Sequence, residues 1–424
     1  MRYRTDASFA READRSDPLK NFRKEFHHPV IDGKPVIYFT GNSLGLQPRA
    51  VKQSVNTELR DWATLGVEGH LHAERPWLYY HHFSRKSLAR ITGARPSEVV
   101  AMNQLTVNLH LMMVSFYRPT AKRFKILIED GAFPSDRYAV DSQARFHGFD
   151  PATAVVALKP RQGEDLLREE DILAAIRDLG DSLALVLFGA VQYYTGQFFP
   201  VRAITAASHA VGAMAGFDLA HAIGNVPLQL HRDDVDFAVW CGYKYLNSGP
   251  GGMAGVFVHE RHHQTSLPRF EGWWGNKEKT RFRMEDHFKP MAGVDAWQLS
   301  NFPVLSGAAQ LASLEIFDRA GMTALRKKSQ QLTGYMEFLL LSIPNHQDLF
   351  EILTPAEPGR RGCQLSIRMK RNGRKTFEKL ERAGVIADWR EPAVIRVAPV
   401  PLYNSYTDVW KFVSMLRKIL GFKN

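Results

Sequence analysis

The chain has 424 residues, about two or three domains at ~150 residues each. Its hydrophobic fraction of 45% and charged fraction of 23% are ordinary for a globular protein, which excludes disordered, collagenous and coiled-coil chains. A net charge of +11 favours anionic ligands and raises the question of nucleic acid. Yet the densest basic segment, Arg360–Lys375, lacks the interleaved aromatics that stack bases and reads as a solvated face. Two cysteines, Cys241 and Cys363, make no disulfide framework and suit a reducing compartment. The first 24 residues hold no apolar signal-peptide core, and the longest apolar stretch, Leu183–Val191, falls short of the ~20 residues of a membrane helix. The expectation is a soluble, cytoplasmic protein with neither a nucleic-acid nor a membrane partner.

In chain order, the first motif is Gly41-Asn42-Ser43-Leu44-Gly45, a match to the G-x-S-x-G nucleophile elbow, preceded by the strand-like Val36–Phe39. An elbow needs a helix directly after its serine. Here a loop runs on through Gln47 and Pro48, so a substrate or structural loop is the better reading.

From about residue 97 to 258, apolar runs alternate with amphipathic stretches. Strands are predicted at Val99–Met102, Lys125–Ile128, Ala154–Leu158, Leu183–Ala190, Ala213–Phe217, Phe237–Cys241 and Met253–Val258. Helices are predicted near Val107–Phe116, Ser135–Arg145, Glu169–Leu179 and Ile204–Val211. Such alternation predicts an α/β fold: a mostly parallel seven-stranded sheet with helices on both faces. The Gly- and Pro-rich connection before Met253 is too short for a parallel return, so the last strand is expected to be antiparallel.

His259-Glu260-Arg261-His262-His263 matches the H-E-x-x-H zinc signature, which needs a long helix. It follows directly on a strand and soon meets Pro268, so a solvated, His-rich strand end is expected and no metal site. After residue 305 the period changes. Leu332, Tyr335, Met336 and Leu339, and later Val409, Phe412, Val413 and Leu416, mark amphipathic helices. Short strands are expected around Leu365–Ile367, Val385–Ala387 and Val394–Val397. These features divide the chain into an N-terminal arm (1–60) packing with the small domain, a large domain (61–305) and a smaller α+β C-terminal domain (306–424).

The chemistry-bearing residues fall where strands end, which is where open α/β sheets bind ligands. Asn103-Gln104-Leu105-Thr106 leads into a helix, with Thr106 as its expected N-cap and an anion site in the free N–H groups. Phe133-Pro134-Ser135-Asp136 offers a flat aromatic, with Ser135 or Asp136 to bond a planar ring or cap the helix. Asp218, ending an apolar strand, needs a partner for its charge; a pyridinium nitrogen would be one. Lys244, just past another apolar strand and amid aromatics, is placed as a partly desolvated amine able to form a Schiff base. In this order the four elements describe a pyridoxal 5'-phosphate site.

At these residues the sequence resembles the kynureninases, fold-type-I pyridoxal phosphate enzymes related to class V aminotransferases. The matching stretches are Ile37–Pro48, Arg75-Pro76-Trp77, Met102–His110, Phe133–Asp136, Phe217–Ala222, Tyr243–Asn247, Gly272-Trp273, Ser300-Asn301 and Arg396–Asn404. The resemblance implies covalent attachment of the cofactor at Lys244, a ring-nitrogen partner at Asp218 with His221 close by, and Phe133 over the ring. It further implies phosphate contacts from Leu105, Thr106 and Tyr243. A homodimer with shared active sites is also implied, with Trp273 and Asn301 reaching phosphate across the interface. Arg396 would grip the substrate carboxylate as a bidentate fork. The implied activity is hydrolysis of a C–C bond in a ketonic amino acid: Cβ–Cγ cleavage of L-kynurenine or 3-hydroxy-L-kynurenine in tryptophan catabolism or NAD biosynthesis. Tyr243 is the candidate acid/base, and His70, Ser43, Ser300 and Asn301 are candidates for substrate contacts. Gly189 departs from the pattern, since relatives often carry serine there. The nearest alternative is a cysteine desulfurase or class V aminotransferase.

Overall fold

The computed structural model describes residues 2–422; Met1, Lys423 and Asn424 lie outside them. Seven apolar segments form one sheet: β1 (Val99–Ala101), β2 (Lys125–Glu129), β3 (Val155–Leu158), β4 (Leu183–Gly189), β5 (Met214–Asp218), β6 (Phe237–Trp240) and β7 (Gly255–Val258). Their order across the sheet is β1-β7-β6-β5-β4-β2-β3. β7 is antiparallel to both neighbours and every other pairing is parallel, as the short connection before it predicts. The near-continuous burial of β4 and β6 follows from helices on both faces.

Four helices follow strands: α1 (Leu105–Phe116), α2 (Pro134–Phe146), α3 (Glu169–Leu179) and α4 (Val201–Ala210). Three of them begin earlier than the pattern suggested, α4 by three residues, at Val201 rather than Ile204. α1 starts at Leu105, so its cap is Gln104 rather than Thr106, and Thr106 occupies the second helical position. Pro134 opens α2, its fixed φ suiting a first helical turn.

A second sheet, wholly antiparallel, joins Phe350–Ile352, Leu365–Met369, Val394–Val397 and Asp388–Arg390 in that order. The short strand Val385–Ile386 pairs instead with Ile37–Tyr38, in parallel. One apolar cluster gathers Phe9, Ala10, Ala13, Ile37 and Phe39 with Leu332, Tyr335, Met336, Leu339, Val409, Phe412, Val413 and Leu416. The helix Val304–Ala320 lies on the other side: Ala308, Leu311, Leu314 and Phe317 join the core of the large sheet. Among the described residues no helix is long and apolar enough to cross a membrane.

Two surface expectations are corrected. His259 and His262 are buried, not solvated: His262 Nε2 lies 2.8 Å from Oδ1 of Asp236, just before β6, and His259 stacks on His231 with Asp234 at 3.4 Å. The zinc-signature segment is only a short 3₁₀ turn, Glu260–His262. Within the basic stretch, Arg361 is 1% exposed, paired with Glu337 at 2.7 Å and bonded to the Pro355 carbonyl.

Candidate active site

The carboxyl ends of the strands converge on one cavity of ≈ 150 Å³, lined by residues from the turns after β1, β2, β4, β5 and β6. Register explains the convergence: Gly189 on β4 pairs with Asp218 on β5, and Asp218 with Val239 on β6. Leu105, Thr106, Phe133, Ser135, Asp136, Asp218, His221, Tyr243 and Lys244 all line it.

Lys244 comes from the turn after β6, held by the Gly41–Gly45 loop: the Gly45 N–H donates to the Tyr243 carbonyl at 2.8 Å. Its Nζ lies 3.1 Å from His221 Nε2 and 5.5 Å from the centre of the Phe133 ring. Burial, then the nearby Lys244, Arg396 and Arg390 charges, push the His221 pKa well below its ordinary value, so this imidazole is neutral. Asp218 Oδ1 accepts from the Ala220 N–H at 2.6 Å. Burial raises the Asp218 pKa, while Asp136 and Lys244 oppose the rise. Asp136 is raised well above the carboxylate range, by burial first and then by Asp218, so of this facing pair Asp136 holds the proton. Burial also raises the Tyr243 phenol. A buried phenol of this kind keeps its proton at neutral pH.

These residues fit pyridoxal phosphate. Asp136 Oδ1 and His221 Nδ1 are buried in the cavity wall with no protein partner, and a bound ring carrying polar substituents would satisfy them. The first N–H groups of α1 find no carbonyl within their helix, and the Thr106 and Ser135 hydroxyls lie 2.8 Å apart beside them, a cradle suited to phosphate. Phe133, 39% exposed, offers its face above the lysine.

Other expected residues are not brought to this cavity by the single chain. Arg396 is 1% exposed on its strand, donating to the Tyr193 carbonyl at 2.6 Å and paired with Asp388. Its Nε remains buried without a partner, and burial lowers its pKa to about 10. Trp273, Ser300 and Asn301 are exposed, as is Ser43; His70 packs against Trp77 and bonds the Val67 carbonyl. Sequence reasoning missed Glu129, Tyr193 and Val191 in the wall. Glu129 carried the same signal as Asp218, a carboxylate ending an apolar strand, but stood one residue beyond the predicted boundary at Ile128. Neither cysteine is a ready nucleophile: burial raises the Cys241 thiol to about 11 and the Cys363 thiol to about 12.

Among solved structures, the chain resembles the cystine C–S lyase C-DES in complex with cysteine persulfide (TM-score 0.76, 18% identity, 90% of this chain and 97% of that one). It likewise resembles a cysteine desulfurase from Thermococcus onnurineus (TM-score 0.75, 16% identity, 97% and 98%). At such identities these likenesses establish the fold. Residues 325–416 match the family model of the kynureninase C-terminal domain. Curated relatives named kynureninase include one from Myxococcus xanthus, 57% identical over 411 residues (96% of each chain), and one from Flavobacterium psychrophilum, 53% identical over 420 residues (99% of each). With identity of this order over nearly the whole length of both chains, the chain belongs to the kynureninase family.

Proposed function

We propose that this cavity binds pyridoxal 5'-phosphate and hydrolyses the Cβ–Cγ bond of L-kynurenine or 3-hydroxy-L-kynurenine, giving anthranilate or its 3-hydroxy form plus L-alanine. The observation that carries the reading is Lys244 Nζ, 3.1 Å from a neutral His221 and sharing one cavity with the buried Asp218. When bound, the cofactor supplies an electron sink for negative charge at the substrate Cα and Cβ.

The residues divide the remaining work. Lys244 Nζ carries the cofactor and then removes the proton from the substrate Cα; His221 keeps that amine hydrogen-bonded without adding charge. Asp218 would hold the proton on the nitrogen of a bound ring, and Phe133 would offer that ring its face. Leu105 and Thr106 hold phosphate through the helix start, with Ser135 and Tyr243 beside it. Once water has added to the substrate Cγ carbonyl, the Cβ–Cγ bond would open with Cγ leaving as the carboxyl group of anthranilate, and Tyr243, which retains its phenolic proton, would deliver it to Cβ. Arg396 receives the substrate carboxylate, its unpartnered Nε supporting that role.

Trp273 and Asn301 serve the partner's site in a homodimer, which accords with their exposure. His70, Ser43 and Ser300 meet the aryl end of the substrate from the same boundary. The arm (1–60) and the C-terminal domain (306–424) act as one small body beside the large domain (61–305), a division supported by the shared apolar cluster of Phe9, Ile37 and Phe412. The helix Val304–Ala320, packed on the large-sheet core, connects them. The protein works in the cytoplasm, in tryptophan breakdown or NAD biosynthesis.

The test is release of fluorescent anthranilate and equimolar alanine from L-kynurenine by the purified holoenzyme. Sulfide or persulfide from cysteine, without anthranilate from kynurenine, would put a desulfurase in its place. Comparing kcat/KM for the hydroxylated and plain substrates in wild type and His70→Phe tests the aryl-end assignment: an unchanged ratio removes His70 from it.

A further inference from the structure

A third carboxyl group, Glu129, belongs to the cavity wall and to none of the roles above. It ends β2 and is 4% exposed. Gly189 N–H, on the neighbouring strand β4, reaches its Oε1 at 3.1 Å and its Oε2 at 3.3 Å. No lysine or arginine pairs with it among the described residues, whereas the buried carboxylates outside this cavity each have a basic partner.

The fit to Gly189 is close. A Cβ at 189 would stand 3.0 Å from Glu129 Oε1, so the carboxyl occupies the space where residue 189 would carry a side chain. Beyond Gly189, in register on the next strand, stands Asp218. Asp218 on β5 and Asp136 at the start of α2 line the same cavity as Glu129; the Asp218 charge acts on Glu129, and the Glu129 charge on Asp136. Lys244, the lysine of the cavity wall, acts on Asp136 and Asp218 and is not among the groups that act on Glu129. An ionised Glu129 would therefore be a desolvated anion beside another anion, with its own backbone N–H and that of Gly189 to hold it but no cation.

We propose that Glu129 is a neutral carboxylic acid in the working enzyme, a positioning residue that fixes the Gly189 backbone and leaves Asp218 as the only anion facing the cofactor ring nitrogen. The proposal rests on the reading of Asp218 as the ring-nitrogen partner. Burial, with Asp218 adding to it, raises the Glu129 pKa to about 8, so the acid persists at pH 7. The pH dependence has a definite sign. Between the unfolded value near 4.5 and about 8, the folded chain holds a proton that the unfolded chain has lost, so stability falls as pH rises through that window. Glu129→Gln carries the same shape without the titration, and its stability should not fall in this way.

The experiment is infrared spectroscopy of the holoenzyme grown with carboxyl-¹³C glutamate, from pH 6 to pH 9, in wild type and Glu129→Gln. Surface glutamates are ionised throughout, so a labelled carboxylic-acid stretch at pH 7 that fades towards pH 9 and is missing in Glu129→Gln is the expected result. Glu129→Gln should also keep the cofactor Kd and absorbance within about twofold of wild type at pH 7, and gain unfolding midpoint relative to wild type above pH 8. A labelled stretch absent at pH 7, or a cofactor Kd at least tenfold weaker in Glu129→Gln, would overturn the proposal by showing that Glu129 works as an anion. If Glu129→Gln fails to accumulate, the fading of the stretch in wild type decides alone. Asp218→Asn separates the two readings: unchanged cofactor spectrum and affinity there would remove Asp218 as the ring partner, whatever the state of Glu129.

Discussion

Gly45→Ala probes how the lysine turn is held. Gly45 sits where the Gly41–Gly45 loop meets the turn after β6, and a methyl group there would run into the Lys244 carbonyl and Asn247 Oδ1 and stand 2.9 Å from Asn247 Cα. Ordinary contact begins at 3.4 Å, so the backbones must part by at least 0.5 Å at Asn247 Cα and further at Lys244. Overpacking of this kind costs about 1–3 kcal/mol. Loss of the 2.8 Å bond from the Gly45 N–H to the Tyr243 carbonyl adds about 1 kcal/mol. The expected destabilisation is thus about 2–4 kcal/mol in urea unfolding. A shift of this size in the turn that carries the reactive amine should lower kcat/KM by roughly 10²-fold, the scale set by ångström misplacements in active sites. Gly359→Ala is the control, since nothing lies within 4 Å of a Cβ there, and it should stay within about 0.5 kcal/mol of wild type. Should Gly45→Ala match Gly359→Ala in both stability and turnover, the loop does not hold the lysine turn and the reasoning fails.

Three further perturbations bear on the account. Arg396→Lys keeps the charge but loses the planar fork, so KM for kynurenine should rise at least ~10-fold with kcat less affected; a reversed split in steady-state kinetics would take Arg396 off the substrate carboxylate. Tyr243→Phe should lower kcat by about 10²–10⁴ with cofactor still bound, and retained turnover with an unchanged pH profile would end its role as acid. Asp236 is pushed up by burial, but bonds from His209 and His262 and the Arg261 charge outweigh this and hold it well below the usual carboxylate range. Its stabilisation is present above pH ~3.9 and lost as pH falls. Asp236→Asn should therefore cost about 3–5 kcal/mol near neutrality, less in acid, and an equal cost at all pH values would contradict the network.

The strands and helices around the cavity were legible because each buried strand is a short apolar run with polar or glycine-bearing sequence shortly beyond it. That rule exposed Asp218 and Lys244 directly. It passed over Glu129 because the predicted strand stopped at Ile128. Thr106 looked like a cap because its residue type favours that position; the chain instead turns at Gln104 and spends the Thr106 hydroxyl on Ser135, a contact 29 positions away. The burial of His259, His262 and Arg361 was hidden for the same reason, since each depends on a carboxylate distant in sequence. The pairing of Val385–Ile386 with Ile37–Tyr38 is likewise a long-range event with no local signal. Trp273, Ser300 and Asn301 were named through family resemblance alone, and all three are exposed in this chain.

The most direct measurement is borohydride reduction of the yellow holoenzyme followed by peptide mass analysis. The account predicts loss of the visible band and a phosphopyridoxyl adduct on the peptide holding Lys244, with no adduct in Lys244→Ala. An adduct on another lysine, or a purified protein that takes up no pyridoxal phosphate, would contradict it.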